Sequence, residues 1–147
     1  MTLHLAHLVF VGMWAGLILA EFVVELLPRR APELWPAAIR FHFWMDLLIE
    51  VPILLAVAAT GALMFWRLQI SPTVPTIQMD RTLVLKVAAG LIAVLSNAVC
   101  VVLVVVRKKA GGDPARTLRL TNWIAVTPVV GVPCAVVALI LGLQRLG

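Results

Sequence analysis

The run His42-Phe43-Trp44-Met45-Asp46-Leu47-Leu48-Ile49-Glu50 sets one imidazole and two carboxylates four residues apart in a stretch that stays apolar to Trp66. A helix places positions i, i+4 and i+8 along one face. An apolar run of this length is also what a helix needs to cross a bilayer, about 20 residues. Ionisable groups at such a helix centre cost roughly 2.5–3.5 kcal/mol each on insertion scales. Three in a row therefore mark a site rather than an accident of composition.

The remainder of the chain supports a membrane reading. Of 147 residues, 63% are hydrophobic and only 13% charged, which excludes a water-soluble domain. Four apolar stretches, near 3–27, 41–66, 82–106 and 122–145, predict an all-α fold, a four-transmembrane-helix bundle forming one integral membrane domain over 1–147. The first stretch reads as a mature span. It is too long for a signal-peptide core, carries Glu21 and Glu25, and has no basic region before it. Cys100 and Cys134 lie inside apolar runs and read as small packed thiols.

The formal charge of +5 would suit nucleic acid, but its distribution does not. Arg29, Arg30, Arg40, Arg107, Lys108, Lys109, Arg116 and Arg119 flank the first and third connections, against Arg67, Arg81, Lys86 and Arg145 elsewhere. By the positive-inside rule those connections face the cytoplasm and both termini lie outside, as in a multi-pass protein of a bacterial-type inner (plasma) membrane. The partner expected is the lipid bilayer, together with further copies of the chain or a larger membrane complex, and no nucleic acid.

Local signals refine the spans. Gly12, Gly16 and Ala20 form a small-residue ridge that predicts close helix packing. Pro28, Pro32 and Pro36 punctuate the first connection, and the 71–76 segment, with two prolines, forms the second. Pro52 frees the carbonyl of Leu48 and predicts a kink beside the ionisable row. Gly111-Gly112-Asp113-Pro114 predicts the third turn.

Depth joins these residues into one constellation. With a rise of about 1.5 Å per residue, Glu21 and Glu25 on the first span fall in the same half of the membrane as His42, Asp46 and Glu50 on the second. Asn97 and Thr127 reach comparable depths on spans three and four. Four of the seven acidic residues thus share one leaflet. Four carboxylates and an imidazole in hydrocarbon must share protons, pair with bases or hold a cation. Glu21, Glu25, His42, Asp46, Glu50 and Asn97 are the candidate metal ligands. Oxygen donors with one nitrogen suit iron, zinc or manganese. Near the opposite face, His4 and His7 share one side of the first helix, with Met79, Asp80 and Lys86 at the start of the third.

The segment His7-Leu8-Val9-Phe10-Val11-Gly12-Met13-Trp14-Ala15-Gly16-Leu17 resembles the first-helix signature of the CopD/HemJ-like membrane proteins. Pro52, Gly61, Lys86 and Asn122 extend the similarity over most of the chain. The resemblance implies a four-helix core serving either haem-linked porphyrinogen oxidation, a membrane oxidoreductase activity, or copper handling. It implies His7 and Lys86 as cofactor-binding residues, with His7 a haem or metal ligand. The chain departs from the family in carrying Glu21 and Glu25 on the first helix, and in the wide separation of Asn122 and Pro128.

The expected function is an intramembrane His/carboxylate cation site used in transition-metal or haem-linked redox handling. Two other classes compete: a proton- or divalent-cation-coupled transporter or channel, and a non-catalytic subunit of a larger complex. The charge distribution is testable directly. A reporter fused after Gly147 is expected to report an extracytoplasmic C-terminus, and a cytoplasmic signal overturns the orientation.

Overall fold

The protein is described here by a computed structural model covering residues 2–70, 81–110 and 113–143. The 71–76 connection, Met79, Asp80, Gly111, Gly112 and Arg145 lie outside the described residues. Four stretches are helical, long and apolar enough to cross a membrane. Helix α1 spans Leu3–Arg30. A 3-10 turn (Pro32–Leu34) leads into α2 (Trp35–Met45), a π turn (Asp46–Glu50) and α3 (Val51–Ile70), which together make the second span. Helices α4 (Arg81–Lys109) and α5 (Pro114–Leu143) make the third and fourth.

Two boundaries differ from the sequence expectation for physical reasons. The fourth helix begins at Pro114 rather than near 122, because Asp113 caps it: its Oδ1 accepts from the Arg116 N–H at 3.1 Å. Proline at the first helical position lacks only a donor that would go unused there. The second span begins at Trp35, and Pro28 sits buried inside α1 rather than breaking it.

The prolines deep in the spans are compensated locally. Pro128 cannot donate to the Ile124 carbonyl, and the Thr127 hydroxyl does so instead at 2.8 Å. On the second span the helix widens just before Pro52, and the Val51 N–H reaches back to the Asp46 carbonyl. An α-helix drifts by roughly 40° with each four-residue step. The wider π turn takes back part of that drift, so His42, Asp46 and Glu50 all stay inward.

The packing is inside-out relative to a water-soluble protein. His42, Asp46 and Glu50 are 2%, 1% and 1% exposed, whereas Leu19, Trp66 and Val129 are 68%, 66% and 69% exposed. Each inward seam repeats every seven residues. It runs His7, Trp14, Glu21 and Pro28 on α1; Lys86, Ala93, Cys100 and Arg107 on α4; and Thr117, Ile124, Gly131 and Ala138 on α5. Seven is the period of a left-handed helix bundle. Helix α1 packs on α3, and α4 on α5. The two pairs meet through α2, which touches both α1 and α4.

The small-residue ridge does not serve this packing. A Cβ added at Gly12 or Gly16 would meet no atom within 4 Å, so the ridge faces outward. Close approach is provided instead by Gly131, where an added Cβ would lie 3.2 Å from Ser96 Oγ. That hydroxyl donates to the Thr127 carbonyl at 2.9 Å, tying α4 to α5. Gly131→Leu is therefore expected to destabilise the bundle by about 1–3 kcal/mol through overpacking. Gly12→Leu should be close to neutral, and unfolding in mixed micelles compares the two.

Candidate functional site

The inward acids gather at the end of the bundle that carries the basic residues. Helix α2 delivers His42, the π turn delivers Asp46 and Glu50, and α1 delivers Glu21 and Glu25 one turn apart. The sixth contributor is Arg107 of α4, which is 0% exposed. Read from the sequence it belongs to a cytoplasmic basic run with Lys108 and Lys109, and the structure corrects that placement. Arg107 stands seven residues beyond Cys100, so it continues the buried seam of α4 while its two neighbours leave it. That seven-residue register was the signal available in the sequence.

Arg107 Nη2 donates to Glu25 Oε1 at 2.7 Å, and Nη1 donates to the Thr121 hydroxyl at 3.3 Å. The same Glu25 oxygen lies 2.5 Å from His42 Nδ1. An arginine partner keeps Glu25 ionised, so Nδ1–H is the donor in that contact. The proton on Nδ1 assigns the other nitrogen its role. His42 Nε2 lies 3.2 Å from Asp46 Oδ1 and 3.8 Å from Glu21 Oε2. Ligand atoms of Glu21, His42 and Asp46 all fall within 4.8 Å of one another, and all three residues are buried.

These atoms are enclosed without being satisfied. His42 Nε2, both Asp46 oxygens, Glu21 Oε1 and Glu50 Oε1 have no hydrogen-bond partner among the described residues. Trp14 and Asn97 are the polar neighbours of Glu50. Buried polar atoms are almost always paired in folded proteins. Four such carboxylate oxygens lie buried beside one imidazole nitrogen. A cavity of about 340 Å³ lies alongside, lined by Glu21, Glu25, His42, Asn97 and Thr127 as well as Trp14.

The sequence-derived candidates thus separate. Glu21, His42 and Asp46 converge; Glu50 is the next acid inward; Glu25 sits on the far nitrogen of His42, and Asn97 borders Glu50. His7 and Lys86 lie apart from all of these, in a second cavity toward the other end of the bundle. Cys100 and Cys134 are free thiols, Cys100 buried and Cys134 partly so. No family model matches the chain, and the comparisons with curated proteins and with solved structures return no match either.

Removing one partner of a buried ion pair strands the other, at a cost of about 3–5 kcal/mol. Arg107→Met is expected to destabilise the protein on that scale. Adding Glu25→Gln to it should restore part of the loss, because the stranded carboxylate goes with its partner. A double-mutant cycle on unfolding midpoints measures this coupling, and additive losses would show that the pair contributes nothing specific.

Proposed function

We propose that the protein binds one divalent transition-metal ion, of the iron, zinc or manganese class, at Glu21, His42 and Asp46, and exchanges it against protons. The observation that supports this best is the convergence of one ligand atom each from buried Glu21, His42 and Asp46 within 4.8 Å of one another. Zinc-like ions bind nitrogen and oxygen at 2.0–2.2 Å, so ligands on adjacent tetrahedral positions sit roughly 3.4 Å apart. The observed 3.2 and 3.8 Å separations bracket that value. Glu25 then has the part of an outer carboxylate that holds the Nδ1 proton and aims Nε2 at the ion. Three protein ligands leave a position open, as in sites where metal or its substrate exchanges.

Electroneutrality fixes the stoichiometry. Glu25 and Arg107 cancel. In the metal-free state the remaining three acids and His42 reach neutrality when the imidazole is protonated and two of the acids carry protons. With a divalent ion, Asp46 and Glu21 ionised, His42 neutral and Glu50 protonated, the cluster is neutral again. Two protons leave for each ion that enters: one from the imidazole, one from a carboxyl group. This favours a proton-exchanging metal-handling protein over a purely structural subunit.

The experiment combines metal analysis with proton counting in detergent. Asp46→Asn should weaken binding more than Glu25→Gln, which as an outer-carboxylate change should lose about 10–100-fold. Glu33→Gln in the first connection should do nothing. Metal binding should release two protons per ion, so affinity falls as the pH is lowered through the range where protons compete for the same atoms. A protein that takes up no zinc, manganese or ferrous ion, or that binds equally well as Asp46→Asn, overturns the reading.

A further inference from the structure

The second cavity has a chemistry opposite to the first. It measures about 430 Å³, and the basic side chains in its wall are His4, His7 and Lys86. The rest of its lining is apolar, with Trp14 at the inner end. His4 to Trp14 is ten residues of helix, or about 15 Å, half of a hydrocarbon core roughly 30 Å thick. The cavity therefore has the depth of one leaflet, with its bases toward the membrane surface and its apolar floor at the midplane.

Two glycines shape the basic end. A Cβ at Gly61 would lie 3.4 Å from the His7 ring, and one at Gly142 would lie 3.2 Å from Lys86 Nζ. Lys86 thus extends along α5 to the last turn of the helix, where its ammonium sits at the cavity mouth. His7 is held in one tautomer. The Thr60 hydroxyl donates to the Ala56 carbonyl at 2.6 Å, so toward His7 Nδ1, 2.8 Å away, its oxygen accepts. Nδ1 carries the proton and Nε2 keeps its lone pair.

We infer that this cavity binds a single-chain amphiphile with a carboxylate head, a fatty acid, its head between Lys86 and His7 and its chain lying toward Trp14. The ammonium pairs with the ionised head. His7 Nε2 accepts the proton of an arriving acid: the O–H bond breaks, an N–H bond forms, and the carboxylate is left between two cations. The apolar wall and one-leaflet depth select a chain over a small anion. This site uses none of the metal-binding residues, so it stands or falls independently of the proposed cation site.

The test uses the full chain with Trp14 as its sole tryptophan, Trp35, Trp44, Trp66 and Trp123 being replaced by Phe. Undecanoate, undecanol and undecyltrimethylammonium, each brominated at the chain end, are titrated in micelles while Trp14 fluorescence is followed. The carboxylate should quench saturably and bind about tenfold or more tighter than the alcohol, with the cation weakest. Lys86→Gln should erase that preference, and Ala58→Phe, which projects into the cavity, should abolish saturable quenching. Equal quenching by the three head groups in the otherwise unsubstituted chain overturns the inference, even where the variants fail to fold. So does a haem absorption band in the purified protein that Ala58→Phe removes, since haem would then be the occupant.

Discussion

A guanidinium with no exposure to its surroundings is the constraint on which the bundle depends. Arg107 rises from α4 and donates to Glu25 on α1 and Thr121 on α5, and His42 of α2 donates to the same Glu25 oxygen. Lipid supplies no hydrophobic drive between apolar helices, so packing and buried polar contacts hold a membrane bundle together. Here one ion pair, with the groups that bond to it, joins four helices at the end where the α1–α3 and α4–α5 pairs would otherwise be linked mainly by α2 against α4. Its charge must be compensated within the protein, and Glu25 does so. Once Glu25 is ionised it fixes the His42 tautomer, and that tautomer turns Nε2 toward Asp46 and Glu21.

The same seams that build the packing also separate two chemistries. On α1 the seven-residue register runs from His7 through Trp14 to Glu21, so one face carries a base, an indole and an acid in succession. On α4 it runs from Lys86 through Ala93 and Cys100 to Arg107. Trp14 and Ala93 border both cavities, and Trp14 packs with Ile53, Leu54 and Val57 in the apolar layer between them. The acids lie on one side of that layer and the bases of the second cavity on the other. An apolar layer thus separates the acidic end of the bundle from the basic one.

The π turn serves this arrangement through its wider geometry. Pro52 would disturb hydrogen bonding wherever it stood in the span. Standing two residues after Glu50, it coincides with the widened turn that keeps three ionisable groups on one side. Widened turns of this kind are frequent at functional sites. A regular helix would turn Glu50 about 80° from His42, and the widened turn draws it back toward the other two.

What the sequence determined by itself was whatever depends on near neighbours: four spans from hydropathy, the shared face of His42, Asp46 and Glu50 from four-residue spacing, and the common depth of Glu21 and Glu25 from helical rise. Tertiary structure decided which of these groups meet, and how. Glu25 and Arg107 are 82 residues apart in the chain, and the seven-residue register that turns Arg107 inward does not say which acid it meets. Nor does composition say that Gly12 and Gly16 face outward while Gly131 takes the close contact, since a small residue fits either place. Burial of a charge is repaid only by a specific partner on another helix. The pairing, and with it the division of Glu21, Glu25, His42 and Asp46 between one side of an imidazole and the other, exists only once the helices have packed.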